Sequence, residues 1–244
     1  WSQRWTNVRS VVVMKVTTDD GIVGWGETYG SGDSVPEFAT IARMAIGEDP
    51  NHLGKIWHRL HRAVYQSHVY AAGASNAISA IDTALHDIVG KSTGKPVAEV
   101  MGGRIHDSIP VYATGLYYVD DYALAPNIDE AIGYAEQGFS RMKMKVGAMT
   151  LAEDAARIKA TREAIGPDIR LMFDANESYD PATAITFANM VADNDLSWFE
   201  EPCASRDDAA NKLVQQRSPI PTSGGESLST RWEFAPRLAN RVFD

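Results

Sequence analysis

Three carboxylates and a pair of lysines stand out in the 244-residue sequence because their spacing repeats. Lys145, Asp174, Glu200 and Glu226 are 29, 26 and 26 residues apart, and each falls at or just past the end of a short apolar run. Three carboxylates aimed at one centre repel one another, so a positive charge is expected between them. Asp174, Glu200 and Glu226 offer only oxygen, which favours a hard cation, Mg²⁺ above Zn²⁺. All six histidines (52, 58, 61, 68, 86 and 106) lie upstream, so no imidazole joins the set from these runs. One such acid alone reads as a solvated residue at a loop entry; three at matching positions of successive units read as a metal site.

Lys143 and Lys145 lie two residues apart, so on a strand both leave the same face while Met142, Met144 and Val146 take the other. Partial burial and like-charge proximity favour the neutral amine, which predicts a lowered pKa and a base usable near neutral pH. Solvated lysines at a sheet edge are the plainer alternative. A lysine base beside a cation-binding carboxylate triad suggests removal of the proton α to a carboxylate, with the cation neutralising the enediolate.

Groups like these need strands to aim them. From Ser108 onward, strands predicted over 109–113, 142–146, 171–174, 198–200 and 221–224 alternate with helices over 129–137, 151–165, 181–192, 206–216 and 230–238. Repeated β-then-α units imply a parallel sheet, either a barrel or a doubly wound sheet. One charged residue per unit, always at the same strand end, fits a barrel, whose reactive groups gather at the C-terminal mouth. The Gly-rich phosphate loop that a doubly wound sheet often carries after its first strand is absent from the sequence. Residues 241–244 look like the start of a sixth strand, and a closed barrel needs eight, so an incomplete stretch of a longer protein is expected.

The expected fold class is α/β: a (β/α) barrel of the modified TIM type over 108–244, its C-terminal strands missing, preceded by an α+β domain over 1–107. In that first domain a Val-rich run over 8–17, the turn Asp19-Asp20-Gly21 and a second run over 22–26 make a hairpin. Helices follow over 34–46, 53–65 and 74–90, the last closed by Gly90, Gly94 and Pro96. With 44% hydrophobic and 23% charged residues the composition is that of a soluble globular protein, and no window has the apolar length of a membrane span. A net charge of −9 argues against nucleic acid but not against an anionic substrate beside a bound cation. Cys203 is the only cysteine, which excludes an internal disulfide and fits a cytoplasmic location. The start, Trp1-Ser2-Gln3, carries no initiator Met, so lost or processed residues are expected at this end.

At four motifs the sequence resembles the mandelate racemase branch of the enolase superfamily: Lys143-Met144-Lys145-Val146-Gly147, Phe173-Asp174-Ala175-Asn176, Trp198-Phe199-Glu200-Glu201-Pro202 and Gly224-Gly225-Glu226-Ser227. Upstream, Gly21-Ile22-Val23-Gly24-Trp25-Gly26-Glu27 resembles the family's capping-domain hairpin, and the stretch from Ala80 to Gly103 resembles its long helix and exit loop. The resemblance implies that Asp174, Glu200 and Glu226 bind Mg²⁺ and that Lys145 is the general base. Lys143 would tune it and contact the substrate carboxylate, Asn176 would sit beside the metal, and Glu201 would support the shell. Trp1, Trp5, Tyr65, His68 and Tyr70 fall where the family has substrate-covering loops, and Trp5, His68 and Tyr70 are taken as substrate-binding candidates. His86 stands where the family usually has Trp, a change of packing. The family's His–Asp dyad on the sixth and seventh strands lies past the end of this sequence.

The function these resemblances imply is Mg²⁺-dependent abstraction of the proton α to a carboxylate, through an enediolate, by a lyase or isomerase. Dehydration of an acid sugar, an aldonate or aldarate, is the leading expectation. Racemisation or lactone cycloisomerisation shares the half-reaction; a dipeptide epimerase would need a lysine on the sixth strand. Outside enzymes, a catalytically inactive fragment is the alternative. A histidine-based hydrolytic barrel is disfavoured, because 108–244 contains no histidine. The expected partners are a small carboxylate substrate and further copies of the chain.

Overall fold

The computed structural model describes residues 8–66, 73–119 and 122–244, which fall into two compact units, one ending at Ile109 and one spanning Pro110–Asp244. Trp1, Trp5, His68, Tyr70 and the Tyr65 side chain lie outside the described residues. Among the described residues no helix is long and apolar enough to cross a membrane.

In the first unit, β1 (Val11–Thr17) and β2 (Val23–Tyr29) form an antiparallel hairpin pairing Val11 with Tyr29 and Thr17 with Val23. Alternation sends Val12, Met14 and Val16 inward and leaves Val11 and Val13 exposed. The helices are α1 (Val35–Arg43), α2 (Leu53–Gln66), α3 (Ala74–Thr93) and the single turn α4 (Val97–Val100). The third runs three residues beyond the expected stop, because Gly90 is helical and the left-handed residue is Gly94, φ 66°. Ala77, Ile78, Ile81, Leu85 and Ile88 bury one helix face against Phe38, Ile56 and Leu60. The hairpin lies directly on this helix: a Cβ at Gly24 or Gly26 would overlap the carbonyl oxygens of Ala84 and Ala80. The Gly-x-Gly spacing therefore serves close packing. His86 bonds its own helix, with Nδ1 2.8 Å from the Asp82 carbonyl.

The second unit alternates β3 (Ala113–Thr114), α5 (Leu124–Glu136), β4 (Arg141–Lys145), α6 (Leu151–Ile165), β5 (Arg170–Asp174), α7 (Pro181–Met190), β6 (Leu196–Glu200), α8 (Asp208–Arg217), β7 (Thr222–Ser223) and α9 (Thr230–Asn240). All five strands pair in parallel and in sequence order, an arc of a (β/α) barrel. The first is shorter and later than expected, and α5 begins five residues early, with Pro126 accommodated in its first turn. Residues 241–244 form no strand; the Asp244 amide makes one backbone bond, to Thr222, rather than a ladder. Thr150, Asp180 and Asp207 cap α6, α7 and α8, each starting a helix soon after a strand end. Met142, Met144, Leu171, Phe173 and Phe199 pack outward with Ile158, Ala184, Phe187 and Val214 of the helices.

Gly26→Ala should lower the stability of the first unit by about 3 kcal/mol through overpacking. Gly54→Ala, in α2 with open space at its Cβ, should be neutral or raise it by about 0.5 kcal/mol. Urea unfolding of both variants checks the contrast, and equal effects would contradict the close approach of hairpin and helix.

Candidate active site

The outward residues of β4 and β5 fill the helix layer, so their alternates, Lys143, Lys145, Met172 and Asp174, share the other face. Register places Lys145 beside Asp174 and Asp174 beside Glu200. Parity alone would not bring Glu200 to that face. Leu196 packs into the helix-side core, so an uninterrupted strand would send Trp198 and Glu200 there too. Between Leu171↔Leu196 and Phe173↔Phe199, however, β6 spends one extra residue, a bulge that reverses its alternation. Phe199 then packs outward, and Trp198 and Glu200 turn to the lysines.

Four charged groups meet there. Lys145 Nζ donates to Asp174 Oδ2 at 2.5 Å and to Asn176 Oδ1 at 2.6 Å. Lys143 Nζ donates to the same Asp174 oxygen at 3.0 Å and to Glu200 Oε1 at 2.5 Å. The Trp198 indole N–H donates to Glu200 Oε2 at 3.0 Å, and Tyr112 packs edge-on against Trp198 with its ring 5.8 Å from Lys143 Nζ. Both lysines and Asp174 are buried. The expected lowering of the Lys143 pKa is overturned. Burial pulls the amine down, but the Asp174 and Glu200 charges and hydrogen bonds outweigh it and raise it above its ordinary value. For Asp174, burial favours the neutral acid, but the charges of Lys145 and Lys143 prevail and hold the carboxyl below its usual range.

Beyond the strand ends the backbone turns sharply. Asn176 and Glu201 are both left-handed, φ 43° and 41°, and Asn176 Nδ2 donates to Glu201 Oε2 at 3.3 Å. Non-glycine residues hold such angles only where their surroundings fix them, often at functional sites. Glu201 is 2% exposed and its Oε1 has no hydrogen-bond partner. Burial first, then the facing charge of Glu226, push its carboxyl up to about 7, with smaller contributions from Asp174 and Glu177. Glu226 is exposed on the turn after β7. Among the described residues no three His, Cys, Asp or Glu side chains stand close enough together to hold a metal ion. Asp174 and Glu200 are joined through Lys143, and the charge of Glu226 acts on Glu201. The donor chemistry still fits a hard cation: every carboxylate is an oxygen donor, and one buried oxygen, Glu201 Oε1, lacks a partner.

Sequence reasoning missed Trp198, which the bulge turns toward Glu200, and Tyr112, which lies just before β3 and packs on Trp198. It also missed a buried polar group behind the lysines, made of Tyr118, Asn127, Asp154 and Arg157.

Two family models match the chain: the mandelate racemase / muconate lactonizing enzyme N-terminal domain over residues 3–102 and the enolase C-terminal domain-like model over 127–244. The chain belongs to the mandelate racemase / muconate lactonizing enzyme family of the enolase superfamily. It is 37% identical over 240 residues to D-galactarolactone cycloisomerase of Agrobacterium fabrum, covering 97% of this chain and 62% of that protein. It is 31% identical to arabinonate dehydratase of Saccharolobus solfataricus, covering 96% and 63%. The crystal structure of 3,6-anhydro-D-galactonate cycloisomerase from Zobellia galactanivorans superposes with a TM-score of 0.90 at 35% identity, over 96% of this chain and 65% of that one. The chain thus spans a little under two thirds of these relatives' length.

Lys143→Met would leave Asp174 and Glu200 without the ammonium between them, and should lower stability by about 3–5 kcal/mol in urea unfolding with chelator present. Added Mg²⁺ should restore part of the loss. A loss below about 1 kcal/mol would show that the lysine does not compensate these carboxylates.

Proposed function

We propose that this chain carries the proton-abstracting centre of an acid-sugar lyase, which removes the proton α to a carboxylate and then releases the β-hydroxyl as water. The observation that carries this reading is the buried Lys145 amine at the C-terminal end of β4, held at 2.5 Å by Asp174 and 2.6 Å by Asn176. A base so restrained meets the positional demand of proton transfer from carbon. Lys143, whose ammonium form Asp174 and Glu200 favour, is suited to donate to the substrate carboxylate. Asp174, Glu200 and Glu226 would hold Mg²⁺, which when bound supplies positive charge to offset the negative charge developing on that carboxylate. Proton bookkeeping closes on one side chain: the proton that Lys145 takes from the α-carbon is the one the departing hydroxyl needs. Substrates of this class agree with the names of the relatives, two cycloisomerases and one dehydratase of sugar-acid compounds.

Lactone cycloisomerisation is the second reading, favoured by the two cycloisomerases at 37% and 35% identity. It begins with the same proton abstraction and differs in the bond that breaks next, the ring C–O bond instead of the bond to the β-hydroxyl.

Proton NMR in D₂O with Mg²⁺, over a panel of aldonates, aldarates and their lactones, tests both. Exchange of the α-proton should require Mg²⁺ and fall about 10²–10⁴-fold in Lys145→Ala. Loss of the β-hydroxyl identifies a dehydratase, and ring opening without loss of water a cycloisomerase. Mg²⁺ binding with no exchange across the panel rejects the substrate class, and absence of Mg²⁺ binding rejects the carboxylate assignment.

A further inference from the structure

Behind β4, α6 presents an ion pair to the sheet. Asp154 is fully buried and Arg157 is 3% exposed, with Arg157 Nη1 3.0 Å from Asp154 Oδ1. Their other bonds go to the backbone around Lys145. Arg157 Nη1 donates to the Lys145 carbonyl at 2.9 Å, and Asp154 Oδ2 accepts from the Gly147 amide at 2.7 Å. The remaining capacity ties in the exit of β3: Arg157 Nη2 donates to the Leu116 carbonyl at 3.3 Å and to Asn127 Oδ1 at 3.0 Å, and Asn127 Nδ2 donates to the Tyr117 carbonyl at 2.7 Å. Tyr118 completes the group. Its hydroxyl donates to Asp154 at 2.7 Å and accepts from the Ala148 amide at 3.0 Å, and its ring lies 4.1 Å from the guanidinium.

Helix–sheet packing does not need this pair. The neighbouring helix, α7, meets the same sheet with Ala184, Phe187 and Ala188. Buried ion pairs contribute little net stability compared with apolar packing, so a retained one calls for another role, and geometric specificity is the role these bonds describe. Glycine is required where the chain leaves the clamp: Gly147 has φ 100°, and a Cβ there would meet Ser178.

We infer that Asp154 and Arg157 are positioning residues that hold the backbone on both sides of Lys145, and through it the place from which the lysine amine acts. The catalytic consequence rests on the reading of Lys145 as the base; the effect on the backbone does not. A displacement of about 1 Å in a reacting group can lower a rate about 10²-fold.

Two measurements separate the parts. In the metal-free protein, amide hydrogen exchange by NMR should be at least tenfold faster at Lys145, Val146 and Gly147 in Arg157→Met, with Met172 and Phe173 of β5 within twofold of wild type. Tyr118→Phe, which keeps the ring, should accelerate Gly147 and Ala148 alone. Acceleration spread evenly over the sheet, or none at 145–147, overturns the clamp. In α-proton exchange with Mg²⁺, Arg157→Met should lower kcat about 10²-fold with KM within threefold, and Arg157→Lys should recover part of kcat. An unchanged kcat per folded molecule reduces the pair to a structural role. Wild-type protein that shows no exchange dependent on Lys145 refutes the base assignment, while the amide pattern still decides the clamp.

Discussion

One carboxylate oxygen, Asp174 Oδ2, accepts hydrogen bonds from two lysine amines in the interior of the second unit. Buried charges persist only when paired and hydrogen-bonded, so this junction constrains everything around it. The two lysines must leave one face of β4, which their two-residue spacing ensures. Asp174 must stand beside Lys145, which parallel register supplies. Glu200 must then take the second amine, or Lys143 would crowd Lys145 with too little negative charge to balance both.

Glu200 is where the constraint presses on the fold. The strand that carries it has an apolar start, Leu196, that belongs to the helix-side core, and an end that belongs to the charged face. A regular strand cannot serve both from positions four residues apart, because even spacing keeps a side chain on one face. The bulge opposite Met172 resolves the conflict with one extra residue. Left-handed turns follow at Asn176 and Glu201. They bend the chain at once beyond the strand ends and keep two polar side chains over the lysine–carboxylate cluster.

Much of this was legible in the sequence. The 29- and 26-residue intervals encode the βα repeat, and the repeat places Lys145, Asp174 and Glu200 at adjacent strand ends. Three things were not legible. The bulge leaves no composition signal, since Ser197 and Trp198 suit a regular strand equally well. The Lys143 pKa moved opposite to expectation because like-charge proximity was visible along the strand, while the compensating acids come from strands distant in sequence. The first βα unit was misplaced at both edges, since a two-residue strand and a helix with Pro126 in its first turn give weak periodicity.

The polar layer behind the lysines shows a deeper limit. Helix α6 holds two oppositely charged pairs at helix spacing, Asp154 with Arg157 and Lys159 with Glu163. In sequence both are ordinary surface pairs of a kind that stabilises a helix by a few tenths of a kcal/mol. In the structure Lys159 and Glu163 are mostly exposed and 3.9 Å apart, whereas Asp154 and Arg157 are buried and bonded to the ends of two strands. Charge pairing alone does not distinguish the pairs; their place relative to Ile158 and Ile165 on the buried helix face does. The charge that matters at the strand end is therefore backed by a second polar layer belonging to the helix, and the two meet at the peptide groups on either side of Lys145. A side chain held by Asp174 in front and a backbone held by Arg157 behind has little freedom left to misplace the amine.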